Sequence, residues 1–175
     1  EVEIIAGEHT ELRIEVGKGV LTGTVRRGDG APIAGAKIDL FEHPAETVGR
    51  HAAVVRHEAV SSTKGSFTVL GLREERLTWR ARADGYALAI GELRRAAEAS
   101  ETDIGIEMAP EAVLFVVPTS TGGSAPEGVR VEAISVGGTS RESFRSDGRD
   151  PDGRHRISHL PAGRYQVTAS ADPWF

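Results

Sequence analysis

TKGSFTVLGLREERLTWRARADGY, residues 63–86, and DGRHRISHLPAGRYQVTASADPW, residues 152–174, carry one pattern twice. At a constant offset of 88 positions Gly65 matches Gly153, Val69 matches Ile157, and Leu72 matches Leu160. Leu77 then matches Tyr165, Trp79 matches Val167, Ala81 matches Ala169 and Tyr86 matches Trp174. The matched apolar residues fall on alternate positions, with Arg, Gln, Thr and Ser between them. A period of two is one face of a β-strand, so the repeat predicts β modules in tandem.

Outward from these stretches the alternation continues. VLTGTVRR (20–27) and AKIDLF (36–41) have it, with Ala36, Ile38 and Leu40 on one side and Lys37 and Asp39 on the other. GDGAPIAG between them is rich in turn formers, which predicts an antiparallel hairpin. From His43 to about Arg56 the pattern fails, and this reads as the longest loop. HEAVSST, GSFTVLGL, LTWRARA and YALAI restore it, while GELRRAAEAS (91–100) suits either one or two helical turns or a loop into TDIGIEM.

The second copy starts there. Ile104, Ile106 and Met108 repeat Leu12, Ile14 and Val16 at an offset of 92; Val113 and Val117 repeat Leu21 and Val25 at the same offset; Val131 repeats Ile38 at 93. The fall to 88 puts a deletion in the middle loop of the second copy, where length changes are best tolerated. Residues 2–16 read as a closing strand with no preceding copy, and no such strand follows Trp174. The expectation is a piece of a longer array.

Composition narrows the function. A net charge of −5 argues against a nucleic-acid module or an anionic-membrane surface. The absence of cysteine excludes disulfides, thiolate metal sites and cysteine nucleophiles, and fits a bacterial chain better than an animal secreted module. No run reaches the roughly 18–20 apolar residues of a membrane span. The expected partners therefore exclude nucleic acid, and no membrane insertion is expected.

TGTV (22–25), GAPIAGAKIDLF (30–41), STKGSFTVLGL (62–72) and LTWRARADGY (77–86) together resemble the carboxypeptidase regulatory-like domain. The second copy keeps Asp152, Gly153, Leu160, Pro161, Ala162, Gly163 and Tyr165, with His155 where the family has a core aromatic. The resemblance covers residues 20–109 well and 110–175 in part. It implies an all-β fold of two tandem antiparallel Ig-like (prealbumin-like) β-sandwich modules. Residues 1–19 would be the closing strand of a preceding repeat or an N-terminal extension. Residues 20–109 would form the first sandwich and 110–175 a second, truncated one, joined near Ala109–Glu111 by a linker too short to bend freely. The family resemblance also implies an accessory module with no catalytic residues to carry over.

The residues themselves agree with that. Ser61, Ser62, Ser120, Ser124, Ser140 and Ser143 lie in turn-like or strand-edge settings, none in a Gly-x-Ser-x-Gly elbow. His155 and His159 share one face if their segment is a strand, but they align with Phe67 and Gly71, a core slot and a turn. Asp147, Asp150 and Asp152 are candidate calcium ligands by their oxygen chemistry. Yet Gly148 occupies the first position of the corresponding EF-hand loop and His159 its twelfth, so Asp- and Gly-rich turns are the simpler reading. Phe67, Trp79, Tyr86, Tyr165 and Trp174 map to inward positions. Phe41, Phe115, Phe144 and Phe175 are too few and too scattered for a glycan platform. Arg50, His51, Arg56 and His57 make the long loop the best candidate contact surface. Arg76, Arg80, Arg82 and Arg164 form an outward basic stripe.

The expected protein is therefore a non-catalytic structural or interaction module of a bacterial extracellular, cell-surface or periplasmic multidomain protein. It works without a cofactor, with neighbouring domains of its own polypeptide as partners, and another protein or a glycan as further ones. The alternatives are a glycan- or peptide-binding module and an accessory domain of a secreted peptidase or hydrolase.

Overall fold

The computed structural model describes residues 17–43, 54–96, 99–119, 128–137 and 142–171, together with residues 6 and 9, as strands, turns and loops. Strand β1 (Gly19–Arg27) is the middle of a three-stranded sheet. It runs antiparallel to β4 (Ser66–Leu72), with Leu21 opposite Val69, and parallel to β7 (Glu101–Met108), with Val25 opposite Ile106. The facing sheet has the order β3 (Val55–Val60), β2 (Lys37–His43), β5 (Arg76–Arg82), β6 (Ala89–Arg94), antiparallel throughout. Leu21, Val25, Ile38, Leu40, Phe67, Leu72, Leu77, Ile106 and Met108 fill the space between the sheets. The predicted inward residues Ala36, Ile38 and Leu40 are buried.

The hairpin expected between residues 20–27 and 36–41 does not form. The reversal exists: Gly30 donates its N–H to the Arg27 carbonyl, and Arg27 donates to that of Ala31, both at 2.8 Å. Ile33 still donates its N–H to the Val25 carbonyl at 2.9 Å, but its side chain turns into the core, and two residues on Gly35 donates to the Ser61 carbonyl beside the other sheet. After the single bridge Arg26–Pro32 the chain crosses to the other sheet. A second departure is β6, which continues through GELR. Gly91 lies against the Trp79 ring, where a Cβ would come within 2.4 Å of the indole, and Ala89 and Leu93 lean on the core beside it. Tertiary packing thus extends a strand across residues whose local sequence suited a helical turn.

Residues beyond Ala109 form a second β unit. Strand β8 (Ala112–Val116) pairs with β12 (His155–Leu160), which also holds β11 (Gly148–Arg149). Strand β9 (Val129–Val136) lies between β10 (Ser143–Arg145) and β13 (Arg164–Ala171). A smaller core of Val131, Ala133, Phe144, Ile157 and Leu160 lies between these sheets. Phe144 belongs to it, meeting Tyr165 edge-on at 6.0 Å, so its place among the scattered aromatics is corrected.

The register of β8 is corrected too. Leu114 and Val116 lean on the core, while Val113 and Val117 are 38% and 56% exposed, unlike buried Leu21 and Val25. Leu114 stands opposite Ile157 as Leu21 stands opposite Val69, which makes the offset 93. A slip of one residue exchanges the two faces of a strand. Leu12, Ile14 and Val16, which set the offset of 92, lie outside the described residues.

Candidate functional site

The long loop was expected to present Arg50, His51, Arg56 and His57. Arg50 and His51 lie outside the described residues, and the other two belong to β3. Arg56 points outward and His57 toward the core. Arg56 reaches the Asp39 carboxylate of β2 at 2.7 Å and Glu58 at 3.0 Å, and Arg82 of β5 approaches Asp39 from the other side at 3.4 Å. Asp39 is nearly buried between these two guanidiniums. Hydrogen bonding and attraction from Asp39 raise the pKa of Arg56 further above its ordinary value. With Lys37, Glu58 and Val60 these residues line a shallow depression of about 510 Å³ on the outer face of the four-stranded sheet.

His57 meets a different fate. Its Nε2 lies 2.5 Å from Oε1 of Glu42, whose side chain is 2% exposed, and Oε2 of Glu42 accepts the backbone N–H groups of Arg73 and Glu74 at 2.7 Å each. Burial pushes the Glu42 carboxyl upward, but the N–H groups and His57 outweigh it and hold the carboxyl below its usual value. Glu42 therefore ties β2, β3 and the β4–β5 turn together from inside the sandwich. Sequence reasoning missed it: the alternation that turns Ala36, Ile38 and Leu40 inward puts Glu42 on the same face, but a charged residue there reads as the end of the strand rather than as part of the core.

The serines are built into the framework where they are described. Buried Ser61 donates to the Ile33 carbonyl at 2.7 Å and accepts the Ala36 N–H at 2.9 Å. Ser62 and Ser143 bond to Ser66 and Glu132. Ser120, Ser124 and Ser140 lie outside the described residues. Asp147 accepts a hydrogen bond from Ser158, while Asp152 and Asp150 lie 2.7 and 4.0 Å from Arg154. Among the described residues no three acidic or imidazole side chains converge as metal ligands do. The basic stripe is exposed, with Arg80 over the Phe41 ring at 6.0 Å.

The two histidines diverge rather than share a face. His155 is buried with Nδ1 3.2 Å from Ser146 Oγ. His159 has a φ of 58°, the left-handed region that Gly71 occupies at the matching position with 83°. That twist aims its Nδ1 at the Tyr86 carbonyl, 2.9 Å away, and its N–H at Oε2 of Glu111, 2.7 Å away. Leu88 donates its N–H to the His159 carbonyl at 2.9 Å, and Arg156 lies 3.7 Å from Oε1 of Glu111. The connection is held as well: Ala87 donates to Ala109, Glu111 donates to Gly85, and Tyr86 bridges Pro110. His159 and Glu111 thus lock the first unit onto the second.

A pair of facing sheets around one apolar core, with its polar side chains spent on bracing the strands, defines an Ig-type β-sandwich of the transthyretin-like class. The family model of the carboxypeptidase regulatory-like domain matches residues 20–108, and the chain belongs to that family. No curated protein matches the chain. Among solved structures, chlorocatechol 1,2-dioxygenase from Pseudomonas putida is 14% identical with a TM-score of 0.41, over 51% of this chain and 58% of its own. A putative carbohydrate-binding protein from Pseudomonas aeruginosa is 12% identical with a TM-score of 0.39, over 53% and 89%. A streptococcal ancillary pilin is 13% identical with a TM-score of 0.38, over 89% and 54%. The chain thus spans little more than half the length of the dioxygenase it resembles. Among the described residues no helix is long and apolar enough to cross a membrane.

Proposed function

We propose that the chain is a non-catalytic spacer and contact module of a bacterial extracellular, cell-surface or periplasmic multidomain protein, built from two copies of one sandwich, residues 20–109 and 110–175. The observation that carries this reading is the junction. Glu111, His159, Leu88 and Tyr86 fix one unit against the other through hydrogen bonds from both sides of the connection. A connection so braced transmits position, which is what a spacer between other domains must do. Support for the copy relation comes from the shared registers, Leu21–Val69 and Leu114–Ile157, and from the paired left-handed positions Gly71 and His159.

Residual dipolar couplings test the spacer reading. One alignment tensor is expected to fit both units; two independent tensors would end it. The non-catalytic part is tested with peptide, ester and glycoside substrates. Turnover that disappears on substituting one named residue would overturn it.

A second reading, ligand binding, has one observation in its favour. A depression of about 400 Å³ lies between the units, lined by Leu88, Ile90, Phe144 and Tyr165 with Glu142 and Arg164 among its polar groups. Titration with oligosaccharides and short peptides, followed by amide chemical shifts of these residues, separates the two readings.

A further inference from the structure

Strand β3 ends its sheet: β2 covers one side, and among the described residues no strand pairs on the other. Such an edge offers a row of backbone donors and acceptors to a further strand. Edges are commonly blunted by proline, by a bulge or by charged side chains, lysine above all; β3 has no proline, lysine or bulge, and its outer-face charges, Arg56 and Glu58, are of opposite sign. It also carries exposed apolar residues at both ends, Val54 at 52% and Val60 at 62%.

The direction of the free backbone groups follows from its neighbour. Ser61, just after β3, donates its N–H to the Ala36 carbonyl at 2.9 Å, on the β2 side. Hydrogen-bonding direction alternates along a strand, so His57 and Ala59 also bond toward β2, and the backbone groups of Arg56, Glu58 and Val60 face the open side. The same alternation puts the side chains of Val54, Arg56, Glu58 and Val60 on the outer face, where all four are exposed.

These four residues read apolar, basic, acidic, apolar. Run antiparallel to itself, that order is its own complement. Three central registers put the free backbone groups of two copies opposite one another. Centred on Arg56, a guanidinium faces its own copy; centred on Glu58, two carboxylates meet. Centred on His57, Arg56 stands opposite Glu58 twice and Val54 opposite Val60 twice. Opposed like charges cost stability and opposed unlike charges add to it, so one register is selected. We propose that β3 pairs with β3 of a second copy of this chain about a two-fold axis through His57, joining two four-stranded sheets into one of eight strands.

The pairing is isologous, so it closes at two copies rather than growing. On the inner face His57 stands opposite its own copy in a non-hydrogen-bonded pair, its ring drawn toward Glu42 of its own unit. Arg56 keeps Asp39 and gains Glu58 of the second copy, completing an alternating square of charge on the outer face. The contact is narrow, so a weak, concentration-dependent dimer is expected rather than an obligate one. The inference goes beyond the spacer reading and stands on β3 alone: a rigid junction leaves it untouched, and so does a flexible one.

The test is sedimentation equilibrium of the full 175-residue chain from micromolar to millimolar concentration, with folding of every variant checked by circular dichroism. The natural sequence is expected to dimerise. Glu58→Arg sets arginine against arginine at both symmetric positions and is expected to weaken association about tenfold or more. Arg56→Glu sets glutamate against glutamate and is expected to do the same. An equal mixture of these two variants restores opposite charge at both positions, and heterodimer is expected at close to the natural affinity. Should Arg56→Glu misfold for want of a partner to Asp39, Val60→Lys serves instead. It removes both Val54–Val60 contacts at an exposed position and is expected to weaken dimerisation. A chain that stays monomeric at millimolar concentration overturns the proposal. So does a dimer indifferent to Glu58→Arg and Val60→Lys, or a mixture of two folded charge variants that fails to associate.

Discussion

Glu42 shows how much one side chain can hold when its oxygens are all engaged. Its carboxylate joins His57 to two backbone N–H groups of the β4–β5 turn in a site closed to water. Because its folded-state pKa lies below the 4.5 of a free carboxyl, its contribution is fully present above pH 4.5 and fades as the pH falls through the lower folded value. Glu42→Gln keeps the shape and loses the charge. It is expected to destabilise by about 1.5–3 kcal/mol at neutral pH, the usual worth of hydrogen bonds to a charged group. The difference from the natural sequence should shrink below pH 4.5, read from urea unfolding at a series of pH values. Gly91 makes the opposite point, since its use lies in what it lacks. Gly91→Ala puts a methyl into the Trp79 ring and is expected to cost about 1–3 kcal/mol, with a blue or red shift of tryptophan emission as the indole moves.

At the scale of the strand, alternation located β1, β2, β4, β5 and β7, because each turns one apolar face to the core; in β2 the polar residue between, Asp39, is covered as well, by its guanidinium partners. It could not say which strands are neighbours. Residues 20–27 and 36–41 alternate like the arms of a hairpin, and only the third dimension sends Pro32 and Ile33 across to another sheet. In β8 both candidate faces are apolar, Val113–Phe115–Val117 against Leu114–Val116, so periodicity had no contrast to read. Leu114→Ala is accordingly expected to destabilise the second unit by about 2 kcal/mol or more. Val113→Ala should cost a few tenths, in thermal unfolding followed by amide exchange of Ile157. The candidate site was less legible than the fold. The sequence marked Arg56 and His57 as a pair on a loop, whereas they are neighbours on one strand with opposite faces, one braced to Asp39 outside and the other to Glu42 inside. Contact partners distant in sequence leave no periodic trace.

Across the whole molecule, Glu111 and His159 decide how the two units sit. Glu111→Ala removes the acceptor of the His159 N–H and the neighbour of Arg156, contacts inside the second unit that hold His159 where it reaches Tyr86; it is expected to lower the unfolding temperature of the second unit and, through His159, to loosen the angle between the units. Small-angle scattering reads this as a broader distribution of particle lengths. His159→Gly relaxes the left-handed backbone yet deletes the imidazole bond to Tyr86, so stability should stay level while the angle loosens. The parallel pairing of β1 with β7 has a mechanical consequence. Among the described residues β1 is the first strand of the first unit and β7 its last, and eight residue pairs join the two in parallel. Tension applied along the polypeptide therefore drags these strands past each other lengthwise and loads their whole ladder of hydrogen bonds at once. An antiparallel terminal pair would peel open one bond at a time. Pulled from both ends, the first unit is built to shear rather than unzip, and should yield at a higher force than its modest core alone would suggest.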